Sequence, residues 1–123
     1  MKRLVLLGLG GMLAAPTLAH AQRISPMKAG TFGQICTQPA KVGVCDAYLS
    51  GMIDAGTLSK INDTNQGDAK APAGFCVPAS ETTPAIRAKV IAWLKQHSDA
   101  LGKPVGESVF LALHDAYPCG EKK

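Results

Sequence analysis

The sequence lacks the short motifs that mark most metal, nucleotide and redox sites. It contains no Cys-x-x-Cys pair, and neither His97 nor His114 stands at ligand spacing from a cysteine. Its 13 glycines fall in no phosphate-loop pattern. These absences predict a protein that carries neither a metal ion nor a cofactor.

A strong charge of one sign is also absent. Without Lys2 and Arg3, 11 of the 13 basic residues remain against nine acidic ones, so the net charge falls from +4 to +2. A small charge spread over the chain does not provide the basic face that binds nucleic acid. We therefore expect no nucleic-acid partner.

The only long apolar run lies at the N-terminus. Lys2 and Arg3 precede an apolar stretch at residues 4–18, which glycines and a proline interrupt, and Ala19-His20-Ala21 has the small-x-small pattern of a cleavage site. This arrangement predicts a Sec signal peptide at residues 1–21, too short and glycine-rich for a membrane span. We expect a periplasmic protein that has no membrane anchor after cleavage and that starts at Gln22.

Alternating apolar and polar residues, the mark of a strand, are missing, whereas helical spacing recurs. The clearest case is the apolar stripe of a central helix predicted over Cys45–Leu58, in which Gly51 indicates the close approach of a second helix. A short helix is predicted over Thr31–Cys36, with Thr31 as its cap. The segment from Lys60 to Gly74 is polar and rich in turn formers, and it is interpreted as irregular.

Two further helices follow the irregular segment. Thr83 as N-cap and Pro84 at the first helical position are typical of a helix start, and this helix is expected to end near His97. A last helix begins near Val105 and stops at Pro118. The sequence predicts an all-α fold, with three main helices and one short N-terminal helix. The single domain spans residues 31–119, between a flexible tail at residues 22–30 and a polar tail at residues 120–123.

Four cysteines in a small exported domain indicate two disulfides, for which three pairings exist. The short connection between the last two helices makes them antiparallel, which brings Cys76 before the first near Cys119 after the second. Cys36 and Cys45 flank a turn. This order of helices favours the pairs Cys36–Cys45 and Cys76–Cys119, and the other two pairings stay open.

Candidate catalytic residues have simpler explanations. A Cys–His hydrolase needs a free thiol, and all four cysteines are accounted for as cystines. His97 is interpreted as a residue at the edge of the core, and His114-Asp115 as part of a solvated helix face. Asp46 and Asp54 could be read as a carboxylate pair, but helix capping and a tie to a neighbouring helix are the favoured explanation. We therefore expect no enzyme.

Three blocks of residues carry a family resemblance. They are Cys45-x-x-Tyr48-x-x-Gly51-x-x-Asp54-Ala55, then Phe75-Cys76-Val77-Pro78, and finally Tyr117-Pro118-Cys119. Between about Phe32 and Cys119 the chain resembles the Rap/Tai family of immunity proteins, which protect bacteria against type VI secretion amidase effectors. The resemblance implies a non-catalytic periplasmic protein that binds a peptidoglycan amidase and blocks its active-site cleft. It also implies a homodimer as a possible assembly.

An inhibitor that blocks a cleft needs a rigid body and a protruding element. The polar stretch Asn62–Asp68 is the candidate protrusion, with Asp63, Asn65 and Asp68 as partner-binding residues, although a mobile insertion would have the same composition. The alternative function is a periplasmic acid-stress chaperone of the HdeA type, or another non-catalytic binding protein. Such a chaperone would expose apolar surface at low pH.

Overall fold

The computed structural model describes residues 22–120, which form four α-helices. They are α1 (Ala29–Thr37), α2 (Val42–Asn65), α3 (Thr83–Gln96) and α4 (Val105–Ala116), with a 3₁₀ turn at Ser98–Ala100. The described residues contain no strand, which confirms the all-α prediction. No helix in this range is both long and apolar enough to cross a membrane. The expected signal peptide at residues 1–21 and the tail residues 121–123 lie outside the described residues.

The N-terminal segment joins the fold earlier than the expected tail at residues 22–30 implies. Ala29 is fully buried. Three backbone hydrogen bonds hold this segment to the α3–α4 connection: Ala29 N–H to Lys103 O (3.0 Å), Gly30 N–H to Leu101 O (2.9 Å) and Val105 N–H to Met27 O (2.8 Å). Helix α1 therefore starts at Ala29, and the prediction of a start and cap at Thr31 was wrong. The first N–H groups of α1 donate to carbonyl groups from a distant part of the chain. These acceptors take the place of a capping side chain.

Helix α2 is longer at both ends than the predicted Cys45–Leu58. It reaches Asn65, so the prediction that Lys60–Gly74 is irregular was wrong for its first six residues. The apolar stripe ends near Leu58, but a helix needs no apolar face where it projects into water and its residues have ordinary helix propensity. The helix ends at Asn65, and Gly67 follows two residues later with a φ of 92°, a left-handed conformation that favours glycine.

The core lies between all four helices. Its largest fully buried side chains include Phe32 of α1, Leu49 of α2, Val90 of α3 and Leu113 of α4. The ring of Phe32 packs at 4.9 Å, centroid to centroid, on that of Tyr48. Burial also raises the pKa of the Tyr48 hydroxyl. Because each helix contributes a side chain to one cluster, the four helices form a single packed unit.

Helix α3 begins at the predicted place with a shifted cap. Thr82, rather than Thr83, is the N-cap, and its hydroxyl accepts a hydrogen bond from the Ala85 N–H at 3.3 Å. Pro84 follows in the first turn, where the missing N–H costs nothing. The change of cap moves the helix boundary by one residue only.

Covalent and ionic ties link the helices at their ends. One disulfide joins Cys36 of α1 to Cys45 of α2, and the other joins Cys76, before α3, to Cys119, after α4. The Arg87 guanidinium of α3 donates to both carboxylate oxygens of Asp46 on α2, one of them at 2.6 Å. Cys36 and Cys45 are buried, whereas Cys76 and Cys119 are exposed. The residues of the Cys76–Cys119 disulfide are therefore much more exposed to solvent than those of the Cys36–Cys45 disulfide.

Candidate functional site

A groove of about 470 Å³ opens between the second half of α2, the chain before Phe75 and helix α4. We call it the α2–α4 groove. Its lining residues are Gly56, Ser59, Lys60, Asp63, Pro72, Ala73, Gly74, Phe110 and His114. Beyond it projects the stretch at residues 61–70, which we call the α2 tip and in which every residue except Asp63 is exposed. The groove is larger than the recesses beside Ile91, Trp93 and Arg87, and nine of the ten residues of the tip are exposed.

Lys60 fastens the α2 tip to the body of the protein. Its ammonium group donates to the carbonyl oxygen of Ala69 at 2.7 Å and to that of Ala71. Within the tip, the Asp68 N–H donates to the Asp63 carbonyl oxygen at 2.9 Å. The chain after α2 is therefore a folded protrusion, and a partner that binds it has less conformational entropy to remove.

Helix α4 holds the opposite wall of the groove. Nδ1 of His114 lies 2.6 Å from the carbonyl oxygen of Gly74, so this nitrogen must carry the proton in order to donate. The ring of Phe110 lies against Gly74, where a Cβ would come within 2.4 Å of the ring carbons. Phe110 nevertheless remains 41% exposed. The groove thus combines an exposed aromatic ring with polar groups along its edge, a typical composition for a protein-binding surface.

The three residues predicted to bind a partner lie at the α2 tip, but the structure does not bring all three into the groove. Asp63 is half-buried and lines the groove. Asn65 is the last residue of α2, and Asp68 follows the turn; both are exposed outside the lining. The prediction that this stretch is irregular was wrong for residues 62–65, which are helical.

Sequence reasoning missed Lys60, Phe110 and His114 as residues of this site. Helical spacing puts Phe110 on a widened apolar face of the last helix, and His114 was interpreted as part of a solvated face, because spacing alone cannot show what packs beside a helix edge. One signal was available. Phe110 lies one residue past Val109 of the buried stripe, which turns it about 100° away from the core.

The other candidate residues have structural partners. His97 stacks on Trp93 with the ring centroids 3.9 Å apart, and Asp115 accepts a hydrogen bond from the Trp93 indole N–H at 2.7 Å. Asp46 pairs with Arg87, whereas Asp54 is exposed on the outer side of α2. Within residues 22–120, no three His, Cys, Asp or Glu side chains come together as a metal site.

The residues that match a known protein family are nearly the same as those that form the four-helix fold. The family model of the Rap1a immunity proteins matches residues 28–119. The chain belongs to the Rap1a immunity protein family. The match starts at Lys28, which lies antiparallel to Pro104 in an isolated backbone pairing, and ends at Cys119. It therefore contains all four helices and both disulfides. No significant match was found among curated proteins or among solved structures.

Membership in the Rap1a family confirms the resemblance seen in the sequence and gives the general role of the chain. It is an immunity protein for a type VI secretion effector. Proteins of this kind bind a cognate effector, are generally non-catalytic and are typically periplasmic. In a Rap1a protein, the α2 tip, which is exposed and held by Lys60, is therefore a candidate surface for binding an effector rather than for catalysis.

Proposed function

We propose that this Rap1a family member is a periplasmic protein that binds a peptidoglycan amidase effector and inhibits it by occluding the active-site cleft. The observation that carries the proposal is the α2 tip, a protrusion held by Lys60 on a body with two disulfides. Filling a cleft requires an element that projects and keeps its shape. A preformed tip meets this need at little entropic cost.

The chemistry of the α2 tip suits a polar cleft. Asp63, Asn65 and Asp68 present carboxylate and amide groups that can accept hydrogen bonds. Phe110 beside the tip adds an apolar contact of the kind that is enriched at interfaces. We propose that the tip enters the cleft of the amidase and that the α2–α4 groove receives the rim of the cleft.

The first experiment is a pull-down with tagged residues 22–123 from a periplasmic extract, at neutral pH and near pH 3. The expected result is one stoichiometric partner at neutral pH, with amidase activity on peptidoglycan that the protein suppresses. Many partners captured only in acid would overturn the proposal and support the acid-stress chaperone.

Replacing the three tip residues should then weaken inhibition of that amidase. For Asp63→Ala/Asn65→Ala/Asp68→Ala we expect at least a tenfold higher inhibition constant, because several polar contacts are lost while the core is untouched and alanine is compatible with the end of α2. Circular dichroism and the melting temperature should change little. The matched control is Gln96→Ala/Asp99→Ala, which changes exposed polar residues at the α3–α4 connection. Unchanged inhibition by the triple variant would contradict the role of the tip.

We also propose that the protein forms a homodimer through the outer face of α2. Gly51 was expected to mark the approach of a second helix, but no other group among residues 22–120 lies within 4 Å of the position of its absent Cβ. Val44, Leu58 and Ile61 are 59%, 61% and 49% exposed. These three residues and Gly51 lie on the outer face of α2 at intervals of seven and three residues. This is the spacing of residues that pack against another helix.

This face is complementary to itself. If a second copy packs antiparallel with the two-fold axis at Gly51, Val44 of one copy lies opposite Leu58 of the other, and the reverse pair forms as well. Gly51 then lies opposite Gly51, where the absence of side chains lets the two helices approach closely. The pairing would cover two of the large apolar side chains on each copy.

Introducing charge on this face should shift the protein from dimer to monomer. For Val44→Glu/Leu58→Glu we expect the mass measured by light scattering after gel filtration to halve, because two carboxylates would be buried at the interface. The control Ile24→Glu places the same charge on an apolar residue that is 59% exposed outside α2. A wild-type protein that is monomeric at high micromolar concentration would contradict the proposal.

A further inference from the structure

The two disulfides differ in their access to solvent. Cys36 is 4% exposed and Cys45 is 0% exposed, whereas Cys76 and Cys119 are both exposed residues. Thiol–disulfide exchange requires a thiolate to reach a sulfur atom, so access affects the rate at which each bridge reacts. Cys36–Cys45 is shielded by α1 and α2, and Cys76–Cys119 lies at the surface.

We infer that Cys76–Cys119 is a site of thiol–disulfide exchange with dithiol reductants, and that Cys36–Cys45 is inert while the protein is folded. A thiolate of the reductant attacks one sulfur of the bridge, the sulfur–sulfur bond breaks, and the other cysteine leaves as a thiolate. The second thiolate of the reductant then attacks the mixed disulfide. Two electrons and two protons pass from the dithiol to Cys76 and Cys119, and the dithiol becomes a disulfide.

The position of this bridge connects it to the α2–α4 groove. Pro72, Ala73 and Gly74 form one wall of the groove, and the chain continues directly through Phe75 to Cys76. The bridge ties that wall to the end of α4, beside the hydrogen bond of 2.8 Å from the Cys76 N–H to the Tyr117 carbonyl oxygen. Opening the bridge therefore removes one of the ties that hold the wall.

Other contacts should keep the remaining fold intact after exchange. Phe75 is only 8% exposed and packs on Phe110 with ring centroids 5.6 Å apart. Lys60 and His114 still hold the chain on either side of Pro72. The reduced protein is thus expected to stay helical, with a wall that is held less firmly. Exchange does not depend on the proposed function, but an effect on amidase binding rests on it.

The test is native-state labelling of the oxidised protein. Residues 22–123 are incubated with dithiothreitol, samples are quenched with N-ethylmaleimide over time, and each cysteine is assigned by peptide mass mapping. We expect Cys76 and Cys119 to be labelled together, at least tenfold faster than Cys36 and Cys45, while circular dichroism stays helical. Equal rates for all four cysteines, or faster labelling of Cys36 and Cys45, would overturn the inference.

Two controls separate access from unfolding. In concentrated urea both bridges should be reduced at similar rates, because neither is shielded in the unfolded chain. The variant Cys36→Ala/Cys45→Ala retains only the exposed bridge, which should react at the wild-type rate if the variant folds. Amidase inhibition, measured after labelling, reports on the groove separately: unchanged inhibition would leave the exchange site standing and contradict its effect on binding.

Discussion

Phe32→Ala is expected to destabilise the protein by about 3–5 kcal/mol, the range for deleting a buried aromatic side chain. Phe32 is 1% exposed and packs on Tyr48. It is the largest buried side chain of α1, a helix of nine residues whose N-cap makes no side-chain hydrogen bond. A helix this short is marginal in water and depends on packing. The loss would be a large part of the roughly 5–15 kcal/mol that stabilises a small domain.

Urea unfolding at neutral pH measures this loss of stability. The matched control is Phe110→Ala, the same change at a ring that is 41% exposed, for which we expect less than half the cost. A second readout is the tyrosine titration: with Phe32 removed, water reaches Tyr48 and its raised pKa should move down toward the ordinary value. A destabilisation below about 1.5 kcal/mol would show that α1 is held mainly by other contacts.

Removing the Cys76–Cys119 bridge is expected to cost about 4 kcal/mol in the chain-entropy model. The bridge spans 43 residues, so its absence gives the unfolded chain much more freedom. Because Cys76 and Cys119 are exposed, the change Cys76→Ser/Cys119→Ser removes little packing, and the loss comes almost entirely from the unfolded state. The dependence of unfolding free energy on urea should also steepen, because the unlinked chain exposes more surface.

The comparison with the other bridge tests this explanation. Cys36–Cys45 spans nine residues, for which the same model gives about 2.6 kcal/mol. Its buried sulfur atoms add a packing loss that Cys76–Cys119 does not have. Cys36→Ala/Cys45→Ala should therefore cost more than its short loop alone implies. If the change at Cys76 and Cys119 costs less than about 1 kcal/mol, the unfolded chain already keeps these segments close together.

The presence and order of the helices were predictable because helix formation is indicated by local patterns of apolar spacing and capping residues. Thr82, Thr83 and Pro84 signal the start of α3 within one residue, since capping uses side chains next to the helix. The start of α1 was missed for the opposite reason. Its N–H groups are satisfied by the carbonyl oxygens of Leu101 and Lys103, which lie about 70 residues away in the chain. Such a contact leaves no trace in local spacing.

In the candidate site, too, some features were indicated by the local sequence and others depended on contacts between distant residues. The polar composition of Asn62–Asp68 indicated an exposed element, but its conformation depended on Lys60, which donates to carbonyl groups nine and eleven residues further on. Gly51 was predicted to mark the close approach of a second helix, but among residues 22–120 no other group lies within 4 Å of the position of its absent Cβ. Periodicity identifies a face, and only the fold shows what covers it.

The docking of Met27–Gly30 on the α3–α4 connection has a consequence for the order in which the molecule assembles. A chain made from its N-terminus presents these residues about 70 residues before the carbonyl groups of Leu101 and Lys103 that they bind. Cys36 and Cys45 can meet early because only a turn separates α1 from α2. Helix α1 can therefore reach its final place only after residues up to Lys103 have been made, and a truncated chain that ends before Leu101 lacks the acceptors for the first N–H groups of α1.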